Sequence, residues 1–269
     1  NPMMRALWTA ASGMKAMQFN VDTISNNLAN VNTTGYKKEK AEFEDILYVS
    51  MQKAYSAEGA QRPVNLQVGH GVVARATARD FSSGNLEQTD NKLDMAIEGA
   101  AFFAVRGADG NIYYTRDGSF KVAMTEDGKM LTNSKGYPVL DQDGMEIYFD
   151  GDMANYEIQP SGEITYKDPD TGVALPTGQY IGLFQFENPM GLEAVGGNMY
   201  RNNSASGEPI NDFETENPST VRNYFLESSN VQVVEEMVKL IVAQRAYELN
   251  SKAITTSDEM LQTANNIRR

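Results

Sequence analysis

Apolar residues recur every seven positions at both ends of this chain. Near the amino terminus, two such series lie three residues apart and occupy the a and d positions of four heptads: Leu7, Met14, Val21 and Leu28, then Ala10, Met17, Ile24 and Val31. This repeat predicts a long amphipathic helix whose stripe packs against other helices. We expect the helix over residues 4–30, ending at the Asn-rich turn before Gly35.

The carboxyl-terminal segment carries a matching pattern. Ser229 and Gln232 have the spacing of a capping box, which predicts that a second helix starts here and runs to about residue 267. Its apolar series steps by seven through Val233, Leu240, Tyr247, Ile254 and Leu261. The companion series is weaker, because the polar residues Glu236, Asn250 and Ser257 interrupt it.

Small or uncharged residues flank both series, among them Ala6, Gly13, Gln18, Gln244 and Ala253. A soluble two-stranded coiled coil usually carries charges at these flanks to select its partner. Uncharged flanks favour close packing against several neighbours in a larger assembly. A plain hairpin of the two helices within one chain is the alternative. In either case, the helices need partners, because a single apolar stripe does not hold an isolated helix in water.

The middle of the chain is predicted to be β-structure. Five Asp-Gly pairs, the strongest short hairpin signal, start at Asp109, Asp117, Asp127, Asp143 and Asp150. They separate short runs rich in aromatic and β-branched residues, at 101–105, 111–115, 119–122, 145–149 and 180–186. The predicted fold class is therefore α+β, with long terminal helices forming a coiled-coil-like domain and a central, mainly antiparallel β domain. The predicted boundaries are 3–36 plus 225–269 for the helical domain, 37–70 for a connecting segment and 71–224 for the β-rich domain.

Charge and composition exclude several classes of function. The formal net charge is −13, and residues 63–218 carry all of it, with 10 basic and 24 acidic side chains. This balance argues against a nucleic-acid groove. Cysteine is absent and His70 is the single histidine, which excludes disulfides, thiol nucleophiles and multi-histidine metal sites. No apolar run is long enough for membrane insertion, and residues 3–13 show no secretory signal peptide.

The search for catalytic chemistry yields weak candidates. Asp141, Asp143, Asp150 and Asp152 suggest a calcium site or an acid pair, but the closing glutamate of an EF-hand is missing and hairpin turns explain the same aspartates. The segment from Gly69 to Ala74 has the form GxGxxA, without the strand and helix of a dinucleotide fold around it. We therefore predict no catalytic, metal-binding or cofactor-binding residue and no enzyme activity. A carboxylate-dependent hydrolase and a calcium-binding surface domain are the remote alternatives.

Several ordered motifs resemble the bacterial flagellar rod and hook family. The run from Asn26 to Lys37, which contains Asn27, Leu28, Asn30, Thr34, Gly35 and Tyr36, is similar to the family's amino-terminal signature. Residues 229–261 are similar to its terminal helix, and residues 84–120 to its central domain. The resemblance covers nearly the whole chain, although residues 150–176 align poorly.

Membership of this family implies a structural subunit that polymerises into a helical tube, with the terminal helices lining a channel. The tube would transmit torque from motor to hook and would let later axial subunits pass. The implied partners are further copies of the chain, proximal rod and hook subunits, the flagellar export apparatus, rod-assembly factors and ring bushing proteins. The implied location is the basal body, after export across the cytoplasmic membrane.

Two segments favour one part of this family. Residues 4–14 and 66–72 are most similar to subunits of the distal rod. Hook subunits have a longer middle, so the length favours a rod subunit. A proximal rod subunit, a hook subunit and a rod-like paralogue remain the alternatives.

Overall fold

The fold is α+β, with a long helix at each end of the chain and antiparallel strands between them. The computed structural model describes residues 2–46, 49–52, 66–68 and 71–267. Helix α1 spans Pro2–Ala29, within two residues of the predicted bounds. Helix α2 spans Val233–Ile267.

The predicted start of α2 at Ser229 is wrong by four residues. Ser229 Oγ accepts a hydrogen bond from the Val231 amide at 3.2 Å, which forms a short turn ahead of the helix. The first helical bond recorded there runs from the Glu236 amide to the Gln232 carbonyl at 3.0 Å, and α2 begins at Val233. The serine therefore satisfies a local amide instead of capping the helix.

The chain divides into two compact units. The first, here called the helical unit, comprises Asn1–Ala29, Glu39–Arg79 and Gln232–Arg269. The second, here called the β unit, comprises Asn30–Lys38 and Asp80–Val231. Strands from the predicted connecting segment thus group with the helices. The three-part division predicted from the sequence concerns the subunit in its assembly, and it stays a prediction.

In the helical unit, α1 and α2 run antiparallel. Asn27, near the end of α1, bonds to Glu236, near the start of α2, and Gly13 lies beside Asn250. The described residues of the unit also form two strand pairs. The first is an antiparallel ribbon of β1, Glu39–Asp45, with β4, Val72–Arg79; the second pairs β2, Val49–Gln52, with β3, Leu66–Val68.

The β unit is built around a six-stranded antiparallel sheet. Its strands, in spatial order, are β16 (Glu193–Gly196), β17 (Met199–Arg201), β8 (Ile112–Thr115), β7 (Phe102–Arg106), β15 (Leu183–Gln185) and β18 (Ile210–Asn211). A first three-stranded sheet contains β9 (Lys121–Thr125), β10 (Gly128–Thr132) and β11 (Tyr148–Phe149). A second contains β12 (Tyr156–Ile158), β13 (Glu163–Lys167) and β14 (Ala174–Tyr180). Two pairs complete the unit: β5 (Leu86–Gln88) with β20 (Phe225–Glu227), and β6 (Met95–Glu98) with β19 (Thr220–Asn223).

Adjacent phenylalanines on β7 serve two different cores. Successive side chains of a strand point to opposite faces of the sheet. Phe103 packs edge-to-face on Phe120, with ring centroids 4.9 Å apart, inside the larger apolar cluster. Phe102 lies in a second cluster with Tyr200 and Phe186. The sheet is therefore covered on both faces at its centre, which explains the continuous apolar run at 101–105.

Four of the five Asp-Gly pairs lie at turns or bends, as predicted, and Asp117-Gly118 does not. Two of them connect hairpin partners: Asp109-Gly110 joins β7 to β8, and Asp127-Gly128 joins β9 to β10. Four of the five glycines have positive φ, whereas Gly118 is placed by a close approach to the Met95 carbonyl. The predicted strands at 145–149 and 180–186 are shorter in the structure, as β11 and β15.

Candidate assembly surface

The predicted stripe of α1 is partly covered within the single chain. Ala10 and Ile24 are buried, while Leu7, Met14, Met17, Val21 and Leu28 are half-buried. Three residues outside the stripe, Ala16, Thr23 and Asn27, are also buried. The most buried side of α1 therefore lies on the d-position side of the predicted seam. Val31 follows the helix and belongs to the β unit, where it is half-buried.

The apolar series of α2 is more exposed than its companion series. Val233 and Tyr247 are 40% and 41% exposed, and Leu240, Ile254 and Leu261 are half-buried. Among the described side chains of α2, Glu236 and Ala243 are buried, followed along the same line by half-buried Asn250 and Ser257. The inward face of α2 is therefore the polar series that the sequence marks as its weaker seam.

Asn27 joins three elements of the helical unit. Its Nδ2 donates to Glu236 Oε2 at 3.2 Å and to the Glu39 carbonyl at 2.8 Å, and its Oδ1 accepts from the Glu39 amide at 2.8 Å. Glu236 is only 3% exposed, and its other oxygen accepts from Lys239 Nζ at 2.7 Å. This motif asparagine therefore ties α1 to α2 and to the first residue of β1.

A serine on α1 contacts the start of β4. Ser12 Oγ accepts from the Val72 amide at 3.3 Å and donates to the Thr9 carbonyl at 2.8 Å. Gly71 has φ +112, and a Cβ added to it would lie 2.0 Å from Ser12 Oγ. This close approach explains the glycine. The strand that follows rules out a dinucleotide motif here, since that motif needs a helix; Gly69 and His70 lie outside the described residues.

The loop of the flagellar-like signature is held inside the β unit. The Gly35 amide donates to the Glu227 carbonyl at 2.7 Å, and Asn198 Nδ2 donates to the Thr34 carbonyl at 2.9 Å. Asn30 accepts from Thr33 at its carbonyl and at its side chain. Tyr36 is 5% exposed. Of the remaining signature residues, Asn26 is exposed and Leu28 is half-buried on α1.

A buried ion network lies at the end of this loop. Lys37 Nζ is 2.7 Å from Glu227 Oε1, and Arg116 Nε is 2.9 Å from Glu227 Oε2. The side chains of all three residues are at most 2% exposed. Backbone groups satisfy further atoms: Glu227 Oε1 accepts from the Gly84 amide, Lys37 donates to the Ser82 carbonyl, and Arg116 donates to the Gly99 carbonyl.

The network keeps its carboxylate charged. Burial by itself would raise the pKa of Glu227, but the charges of Arg116 and Lys37 and the Gly84 amide outweigh it and hold that pKa below its usual value. Burial and the neighbouring Arg116 charge lower the pKa of Lys37, against the attraction of Glu227. Glu227 is the carboxylate that both cations share, so removing it leaves two buried positive charges without that compensation.

Sequence reasoning missed this network. Lys37 and Arg116 lie within motifs that resemble the family, and Glu227 lies in the last strand before α2, but the pattern of residues does not indicate that they meet. Glu227 is 190 positions from Lys37 and 111 positions from Arg116. Their meeting depends on the packing of the loop against β20.

Two of the four aspartates considered as a calcium site or an acid pair accept hydrogen bonds within turns. Asp141 Oδ1 accepts from the amides of Asp143 and Met145, and Asp152 Oδ1 accepts from the Ala154 amide. Within the described residues, no group of three or more His, Asp or Glu side chains is arranged to hold a metal ion. Among the described helices, none is long and apolar enough to cross a membrane.

Three family profiles match this chain, in the order of its elements. "Flagella basal body rod protein" matches residues 7–37, "Flagellar hook protein FlgE/F/G D1 domain" matches 96–166, and "Flagellar basal body rod FlgEFG protein C-terminal" matches 222–267. The matches cover most of α1 with the signature loop, the strands from β6 to β13, and α2.

Full-length relatives agree with these profiles. The flagellar basal-body rod protein FlgG of Borreliella burgdorferi is 46% identical over 99% of this chain and 100% of that protein. FlgG of Bacillus subtilis is 36% identical, again over 99% and 100%. The flagellar hook-basal body complex protein FlhP of Bacillus subtilis is 34% identical over the same shares.

These matches, in a chain with a helix at each end of its sequence and antiparallel strands between them, define a class of structural proteins of the bacterial flagellum and not a class of enzymes. The chain belongs to the flagellar rod and hook family, and its full-length identities group it with the basal-body rod proteins named FlgG.

Proposed function

We propose that this chain is a structural subunit of the distal part of the flagellar basal-body rod and that it polymerises into a helical tube through α1 and α2. Full-length identity to basal-body rod proteins named FlgG carries the proposal. The tube transmits torque from the motor to the hook, and its lumen is part of the export channel.

The exposed apolar residues of α2 support a role for the helices in assembly. Val234 and Leu249 are 76% and 67% exposed, and neither lies in the heptad series predicted from the sequence. Soluble monomers seldom leave a contiguous apolar surface uncovered unless it binds something. In the assembled rod, the two heptad series form coiled-coil-like contacts with several neighbours.

Further partners follow from the same proposal. The subunit meets proximal rod subunits at one end of its segment and hook subunits at the other. It reaches its place through the flagellar export apparatus, together with rod-assembly factors, and ring bushing proteins surround the shaft. The acidic β unit faces outward, away from the lumen.

A rod-like paralogue is the second candidate, because the two Bacillus subtilis relatives differ by only two percentage points, 36% for FlgG and 34% for FlhP. Complementation separates the two functions. The gene for this chain is expressed in a strain lacking FlgG and in a strain lacking FlhP. Restored swimming in the first alone supports the proposal, and restored swimming in the second alone assigns the paralogue.

Electron micrographs of basal bodies test the structural role directly. In the strain without FlgG, we expect basal bodies that stop at a proximal rod, and full-length rods when this chain is supplied. Met17→Asp and Ile24→Asp place an unpaired charge in the predicted seam, so we expect truncated rods while the β unit stays folded. Normal swimming in both variants would remove the seam assignment.

A further inference from the structure

Helix α2 carries an aliphatic ridge that its own chain leaves uncovered. The ridge consists of Val234, Val238, Ile241, Val242 and Leu249, whose exposed fractions are 76%, 56%, 56%, 62% and 67%. At 3.6 residues per turn, these positions lie on the side of the helix opposite Glu236, Ala243 and Asn250. The latter residues face inward, so the ridge faces away from α1.

The helical unit also carries a groove of matching character. It lies between α1 and α2, has a volume of about 390 Å³, and is lined by Gln18, Val21, Gln244, Tyr247 and Glu248. The groove is on a different side of α2 from the ridge. One chain therefore displays both an apolar projection and a recess of mostly apolar surface, on adjacent sides of α2.

The charged residues of the two surfaces are complementary. Arg245 lies in line with the ridge and its side chain is 77% exposed, while Glu248 lines the groove and is 62% exposed. Within one chain, these two side chains are 3.9 Å apart on the surface, a contact worth little by itself. When the ridge of a second chain is buried in the groove, the Arg245 of that chain would approach the Glu248 carboxylate of the first chain.

We propose that the ridge of one subunit seats in the α1–α2 groove of a second copy of this chain. The proposal rests on the proposed function and specifies which surfaces meet in the polymer. Because the two surfaces differ, the contact is heterologous, and each added subunit presents a new free surface. Such contacts generate open filaments when the rotation does not close.

Cross-linking tests this contact without background from the chain's own thiols, since the chain contains no cysteine. Two full-length chains with tags of different size, one carrying Gln18→Cys and the other Val242→Cys, are co-expressed in a flagellated bacterium lacking its own FlgG. Isolated basal bodies are treated with a short bismaleimide. We expect about tenfold more mixed dimer than with a control pair of Gln18→Cys and Thr255→Cys, because a seated contact holds the two thiols at high effective concentration. Thr255 is exposed, lies outside the ridge and is about 20 Å along α2 from Val242.

Each outcome bears on the contact. Mixed dimers would support the ridge-in-groove contact. Dimers formed only between two Val242→Cys chains would show a symmetric ridge-to-ridge contact and would overturn the proposal. Motile cells with no cross-link would overturn it too, yet leave the proposed function standing. If Val242→Cys does not assemble, Leu249→Cys probes the same ridge. Failure of the unsubstituted chain to build a rod would instead remove the proposed function.

Discussion

Asn27 and Glu236, 209 positions apart in the chain, share a buried hydrogen bond of 3.2 Å between the two terminal helices. The bond fixes the register of α1 on α2, because Asn27 is also bound through both polar atoms of its amide to the backbone of Glu39. An asparagine of the family-like signature is therefore part of the packing of the helical unit.

Replacing this asparagine should loosen the helical unit. Asn27→Ala leaves the Glu39 amide and carbonyl and the Glu236 carboxylate short of partners, so we expect a loss of about 2–3 kcal/mol in stability. Hydrogen exchange of the α1 amides, followed at a protein concentration high enough to protect them, measures the loss. Ser25→Ala, at an exposed position on the same helix, serves as the control and should change stability by less than about 0.5 kcal/mol. Equal exchange in the two variants would contradict the assignment.

Breaking the buried ion network should destabilise the β unit far more than breaking a surface ion pair. Glu227→Gln removes the carboxylate that Lys37 and Arg116 share while both cations stay buried, and we expect a loss of about 3–5 kcal/mol. Glu98→Gln removes one partner of the Glu98–Arg222 pair, whose side chains are about half exposed, and should cost about 0–1 kcal/mol. Urea unfolding followed by tyrosine fluorescence compares the two, and a similar cost for both would refute the role of burial.

Stability of the β unit should fall in acid through Glu227. Its pKa in the folded chain is held below the unfolded reference value of 4.5, so the folded state favours the ionised form. The resulting stability is complete above that reference value and is lost as the pH falls through the folded pKa. Unfolding free energies measured from pH 7 downwards should therefore slope less steeply in Glu227→Gln. Parallel curves for the two chains would contradict the prediction.

Gly35 and Gly172 have nearly the same φ, so alanine variants at these two positions separate the cost of backbone strain from the cost of steric crowding. Gly35 has φ +67, and a Cβ there would lie 2.6 Å from the Asp117 amide nitrogen; Gly172 has φ +69 and open space around it. Both alanine variants bear the left-handed backbone penalty of about 1 kcal/mol. Overpacking against backbone should add about 1–3 kcal/mol in Gly35→Ala alone. Thermal unfolding measures the difference in stability between the two variants. Equal melting temperatures would show that the loop around Gly35 shifts to make room for the added methyl group.

The helices of a dilute monomer should exchange their amide protons quickly. Glu236 and Ala243 are the buried side chains among the described residues of α2, so little apolar burial offsets the entropy of ordering this helix. We expect amides of α1 and α2 to exchange at least about 100-fold faster than those of β7, where four consecutive residues are buried. Strong protection of residues 4–30 in dilute solution would contradict this expectation, and protection that appears only at high concentration would support it.

Local patterns predicted the elements because the physics of those elements is local. The seven-residue spacing of Leu7, Met14 and Val21 predicted α1 to within two residues of its bounds. Asp-Gly pairs predicted the turns after β7 and β9, since these two residue types tolerate the backbone angles of tight hairpins. The start of α2 was missed, because the hydroxyl of Ser229 found a nearer amide than the one a capping box requires.

The sequence alone determined the fold class, the two terminal helices, the turns and the resemblance to flagellar rod and hook proteins, all of which depend on residues close together in the chain. Tertiary structure decided which side of each helix is covered, since the inward face of α2 is its polar series and an aliphatic ridge faces outward. It also decided that Lys37, Arg116 and Glu227 meet. Burial of a charge depends on what the rest of the chain packs around it, and no spacing in the sequence records that.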